Sequence, residues 1–227
     1  MERRDAPVGR LREVTVIAAA AGIGAPDPRC AEGPEHLLAR GLVERITKRD
    51  HLATRGTTVR AHAARGRTRL AVHRSFIADL ARETAAAVKR GALPLVLGGE
   101  HSCAVGTWRG VAEALGGSLG LIWIDAHLDS HTPATSPSGM LHGMPLAELL
   151  GVGGNAHHPA GSAALSAQNV CVIGARSYEP EEAALLADLG VRVIDMDEIE
   201  AHGLDQAFTE ALEIATAGTG GFGITLD

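Results

Sequence analysis

Residues 119–131, LGLIWIDAHLDSH, begin as an apolar run of strand length and end with Asp125, His127, Asp129 and His131 at every second position. A run so continuous in Leu, Ile and Trp predicts a strand buried on both faces, as in a parallel sheet covered by helices. The four groups that follow it favour a proton or a metal over an apolar interior. In a parallel sheet, ligands bind in the crevice at the carboxyl ends of the strands, where loops and helix N-termini converge. While the backbone stays extended, residues two apart point to the same side, so Asp125, His127 and Asp129 can form a chelate.

Working outward, similar runs recur: VTVIAAA from Val14, LPLVLGG from Leu93, NVCVIGA from Asn169, VRVIDM from Val191 and GFGITLD from Gly221. Helical segments separate them. RSFIADLARETAAAVKRG places Phe76, Ile77, Leu80, Ala87 and Val88 on one stripe and stops at Gly91; EPEEAALLADLG has Pro180 in its first turn and Gly190 at its exit. The alternation predicts a parallel α/β sheet. The Arg-rich stretch Arg55–Arg74 reads as a loop with a solvated basic face, and GGNAHHPAGS (153–162) as a flexible loop with solvated His157 and His158.

Composition narrows the function classes. With 227 residues, 45% of them hydrophobic and 21% charged, the chain can bury a core as one large domain or two small ones. A formal charge of −6 argues against a surface built for nucleic acid or anionic lipid. No apolar run approaches the roughly 20 residues that span a bilayer, and the N-terminal VTVIAAAAGIGAP reads as a first strand and turn rather than a signal peptide. Cys30, Cys103 and Cys171 are far apart and odd in number, which fits reduced thiols in the cytoplasm.

Three polar signatures fall at strand ends: GGEHS (98–102), DAHLDSH (125–131) and the final Asp227. Singly, each acid reads as a helix cap and each histidine as a hydrogen-bonded side chain. Together, Glu100, His101, Asp125, His127, Asp129 and Asp227 read as a metal site, because like charges clustered in one crevice need a cation to offset their repulsion. Oxygen-rich ligation with a minority of imidazole suits manganese rather than structural zinc. The carboxylates outnumber the needs of one ion, so two ions sharing bridging carboxylates are expected.

GGEHS, DAHLDSHTP, SGMLHGMP and ITLD, in this order and with EGP (32–34) and IGARSYEPEE (173–182), resemble the arginase family of ureohydrolases. The resemblance implies one three-layer αβα domain over residues 1–227 with a mostly parallel central sheet, lacking the family's last elements. It implies two Mn2+ ions, one held by His101, Asp125, Asp129 and Asp227, the other by Asp125, His127 and Asp227. It implies hydrolysis of a small guanidino substrate, L-arginine to L-ornithine and urea, by a metal-bound hydroxide, since free water has a pKa of about 15.7. His142 then resembles the proton-shuttling histidine, and Asp129 also holds the hydroxide. Ser138 matches a contact to the substrate carboxylate, and Glu179 and Glu182 match the acidic pair that receives the α-amino group, with capping of a helix N-terminus as the competing role. A homo-oligomer, trimeric or hexameric, is also implied.

The chain departs from the family pattern in four places. Glu100 replaces an aspartate. His131 replaces an asparagine that contacts the substrate carboxylate, and Met140 replaces another asparagine. The sequence stops at Asp227, where the family continues DxDxxDP, and this predicts a weakened second metal site. The alternatives are an agmatinase, indifferent to Ser138→Ala, another guanidino-acid ureohydrolase, and a shortened metal-binding relative without turnover.

Overall fold

The computed structural model describes residues 13–50, 52–62, 66–153 and 164–227. His157 and His158 lie outside them. Strand β1 (Glu13–Ala20) leads through a 3-10 turn to α1 (Gly33–Ala39) and α2 (Leu42–Asp50), then β2 (Ala53–Arg60) and the long α3 (Arg69–Lys89). Next come β3 (Leu93–Gly98), α4 (Cys103–Leu115), β4 (Leu119–Ile124), α5 (Pro145–Leu149) and β5 (Val170–Ala175). The chain then runs through α6 (Pro180–Leu189), β6 (Arg192–Asp195), α7 (Met196–His202), α8 (Leu204–Thr216) and β7 (Gly221–Leu226).

All strand pairs are parallel, but they form two sheets, β2-β1-β3 and β6-β5-β4-β7, where the run pattern predicts one. The loop that follows β3 meets the carboxyl end of β7, where His101 Nε2 hydrogen bonds with Thr225 Oγ1 at 3.2 Å. The period-2 alternation of the strands sorts the core into layers. On β1, Ile17 and Ala19 pack with Phe76, Ile77 and Leu80 of α3, while Val14 and Val16 pack with Leu38, Leu42 and Val43 of α1 and α2. On β4, Leu119, Leu121 and Trp123 face α4 and α5, while Ile122 faces Ala207, Ala211 and Ala215 of α8. Helices therefore cover both faces of β1 and β4, the inner strands whose continuous apolar runs require it.

Arg55–Arg74 is corrected by the structure. Its first part is β2, an edge strand in register with β1 (Thr15 opposite Arg55, Ala20 opposite Arg60), and its last part opens α3, with Thr68 Oγ1 accepting from the Ala71 N–H at 3.1 Å. Polar residues hid this strand because its side chains are largely exposed; edge strands commonly carry such charges. Of the cysteines, Cys103 and Cys171 are buried and all three are free, and burial pushes the Cys171 thiol up to about 12. Among the described residues, no helix is long and apolar enough to cross a membrane.

Candidate metal centre

Strand β4 delivers Asp125 directly from its carboxyl end, with the Asp125 N–H still bonded to the Ile173 carbonyl of β5 at 3.0 Å. The backbone then leaves the strand. Asp129 takes φ 49°, the only non-glycine with positive φ among the described residues, a conformation that Asp tolerates better than most side chains. Asp125 and Asp129 converge because of this turn rather than by continued extension, which corrects the expected cause. β3 ends at Gly98, two residues before Glu100 and three before His101, and β7 brings Asp227, whose N–H bonds the Ile124 carbonyl at 3.1 Å.

The buried Nδ1 of His101 is the meeting point. Carboxylate oxygens of Asp129, Asp125 and Asp227 lie 2.8, 3.1 and 3.4 Å from it, yet it makes no aligned hydrogen bond. Its other nitrogen is tied to Thr225, so once the imidazole loses one proton, the tautomer that donates from Nε2 leaves the Nδ1 lone pair facing the acids. The Trp123 ring lies 4.3 Å from the imidazole, centre to centre, and its indole N–H donates to Asp125 Oδ2 at 3.3 Å. A buried nitrogen presented to three carboxylates fits a hard divalent cation such as manganese. His127 stands further out: its side chain is 59% exposed, and its Nδ1 lies 3.2 Å from Asp125 Oδ1.

Between these groups alone, the electrostatics are split. Burial works to lower the His101 pKa, but the Asp125 and Asp129 carboxylates overcome it and raise it from 6.5 to about 10. Burial pushes the Asp129 carboxyl up against the pull of His101. Asp125 is held below the usual range despite its burial, by His101 and by the His127 N–H. Glu100 is raised by burial, against hydrogen bonds from Ser102 and the charge of nearby His142. His142 sits in a 3-10 turn, Leu141–Gly143, close enough to both Glu100 and Asp129 to act on their carboxyls.

A second cluster lies beyond Asp129. His131 Nε2 is 3.1 Å from Glu179 Oε2 and 3.6 Å from Glu182 Oε2, and its Nδ1 hydrogen bonds with Thr135 Oγ1 at 3.1 Å. Glu182 caps α6 by accepting from the Glu179 N–H at 3.1 Å, and it also accepts from the Ser130 N–H at 3.1 Å. Burial raises Glu182, while contacts to Glu182 and His131 lower the open Glu179. Ser138 stays apart: it is exposed, and its Oγ accepts from the Met140 N–H at 3.2 Å.

A model of the arginase family matches residues 12–227. The chain belongs to the arginase family. It is a ureohydrolase of that family with a parallel α/β fold. It is 34% identical to the arginase of Bacillus caldovelox, over 96% of this chain and 76% of that protein. The crystal structure of arginase from Bacillus subtilis superposes with a TM-score of 0.84 at 30% identity, over 96% of this chain and 74% of the other. The formimidoylglutamase of the same organism, at 18% identity and a TM-score of 0.73, shares the fold. Sequence reasoning passed over Trp123, Thr225 and the Ser102–His73 pair behind Glu100. The signal for Trp123 was an indole inside a buried run, whose N–H has to find a partner.

Proposed function

We propose that the chain hydrolyses a guanidino substrate, L-arginine to L-ornithine and urea, with two manganese ions. One observation carries this: the buried, unaligned Nδ1 of His101 facing Asp125, Asp129 and Asp227, with Nε2 anchored by Thr225. His101, Asp125, Asp129 and Asp227 would hold one ion, and Asp125, His127 and Asp227 the other. When bound, the pair supplies a water-derived nucleophile at neutral pH and offsets the repulsion among the carboxylates. The guanidinium carbon gains the water oxygen, its bond to the ornithine δ-nitrogen breaks, and a proton reaches that nitrogen. Asp129, whose carboxyl is raised by burial, orients the water and can carry that proton; His142 exchanges it with solvent. A single domain, a homo-oligomeric assembly and a cytoplasmic location belong to the same proposal, with native mass as the measure of the assembly.

The test is urea release from arginine by the manganese-loaded full chain, with metal content measured in parallel. Asp125→Asn is expected to lose bound manganese and activity together, whereas His142→Ala keeps the metal and loses about 100-fold in kcat. Equal metal loss in both variants refutes the division of roles.

One contact favours a second substrate. His131 already occupies the Glu179 and Glu182 carboxylates that the family resemblance gives to an α-ammonium. A guanidino acid without that ammonium leaves the contact undisturbed. A kcat/KM for 4-guanidinobutanoate above those for arginine and agmatine, reversed by His131→Asn, selects this substrate.

A further inference from the structure

The loop after β1 links two parts of the candidate site that are distant in sequence. From outside, Arg69 at the start of α3 donates to the Ile23 carbonyl and, at 3.3 Å, to the Ala25 carbonyl. From inside, the buried Glu100 carboxylate lies against Gly24 so closely that a Cβ there would come within 2.6 Å of Glu100 Oε2, and the nearby Gly24 amide helps to hold the carboxyl down against its burial. Glu100 is itself fixed. The Ser102 N–H and Oγ donate to its two oxygens at 2.9 and 2.6 Å, and His73 of α3 hydrogen bonds with Ser102 Oγ at 2.5 Å.

On its other side, Gly24 uses its carbonyl to accept the His142 N–H at 3.2 Å. The short turn that carries His142 is also held by the His131 N–H donating to the Gly143 carbonyl at 3.1 Å, and its N-cap Met140 meets Arg69 through Sδ at 3.3 Å. A three-residue 3-10 turn supplies little rigidity of its own, so the place of the His142 backbone depends on these contacts, of which the bond to Gly24 is the one made by His142 itself. We propose that Glu100 is a positioning residue for His142: it holds Gly24, and the Gly24 carbonyl holds the backbone of the proton-carrying histidine. Its effect on turnover rests on the function proposed above; the mechanical link does not. A proton-transfer group misplaced by about 1 Å loses roughly 100-fold in rate, so a buried carboxylate that touches no substrate can govern kcat.

Two variants cut the link from opposite sides: Glu100→Ala removes the acceptor, and Gly24→Ala drives a Cβ into it while leaving Glu100 in place. In the metal-free full chain, the His142 amide is expected to exchange at least about fivefold faster in both variants, the effect of losing one hydrogen bond. In the manganese-loaded chain, each is expected to lower kcat for arginine about tenfold or more, with KM within about twofold and manganese content unchanged. Glu100→Ala combined with His142→Ala should be no slower than His142→Ala alone, because a residue acting through His142 has nothing left to act on. Unchanged amide exchange in both variants overturns the link, as do multiplying losses in the double variant or manganese lost from Glu100→Ala. If the parent chain releases no urea, the proposed function falls, and the exchange measurement still decides the positioning.

Discussion

Among its carboxylate neighbours, His101 is set to hold a proton that a bound metal would have to displace. Its pKa, raised from 6.5 to about 10, means that the imidazole is protonated at neutral pH as long as only carboxylates surround it. A folded pKa above the unfolded one stabilises the metal-free fold fully below about 6.5, and that stabilisation disappears as pH rises through about 10. On the proposed function manganese would take the deprotonated nitrogen, so its apparent affinity should climb with pH up to about 10, with one proton released from His101 at pH 7. Calorimetric titration in buffers of different ionisation enthalpy measures this, and binding without proton release at pH 7 contradicts it. The acids and imidazoles of this cluster were legible in the sequence because metal-binding side chains stand out after an apolar strand. What orients them was not: Trp123 and Thr225 look like ordinary strand residues, and the positive φ of Asp129 has no marker in its neighbours.

At the level of elements, α4 delivers the His101 loop, and its seat is α3. The two helices approach closely through Gly106 and Gly110, one turn apart on α4. A Cβ at Gly110 would meet Thr84 Oγ1 at 2.1 Å and the Ala81 carbonyl oxygen at 2.2 Å. Backbone cannot yield as a flexible side chain does, so Gly110→Ala should force the helices apart and cost about 1–3 kcal/mol. A chemical denaturation midpoint lowered with an unchanged slope is the expected signature, and an unchanged midpoint excludes the close approach. Neither helix contact nor sheet pairing could be read from the chain with equal ease. The buried strands announced themselves as Val, Ile and Leu runs, α3 by its stripe and glycine stop, and α6 by its first-turn proline and glycine stop. β2 did not, because an exposed edge strand has no apolar alternation, and α4 carries its packing information in glycines that resemble breakers.

At the scale of the molecule, two sheets of three and four strands among the described residues present four edges, and three of them are protected. β2 carries Arg55 and Arg60, β3 contains Pro94, and β6 is only four residues long, with Arg192 paired to Glu198 and Glu210. Charge, proline and shortness are the usual ways to keep an edge from pairing with another chain. β7 has none of them along Gly221–Leu226, and its Phe222, Ile224 and Leu226 are 45%, 45% and 76% exposed on one face. That face continues the one that Gly120, Ile122 and Ile124 turn toward α8, at the flank where α8 no longer covers it. An apolar row on an unpaired edge is a surface for self-association, and it adjoins the candidate centre through Thr225 and Asp227. Light scattering of the 227-residue chain should therefore show mass rising with concentration. Ile224→Lys, which places a charge in the middle of the row, should abolish the rise while leaving His101, Asp125 and Asp129 in place. A parent chain of constant mass, or a variant that associates as strongly, removes β7 as the surface responsible.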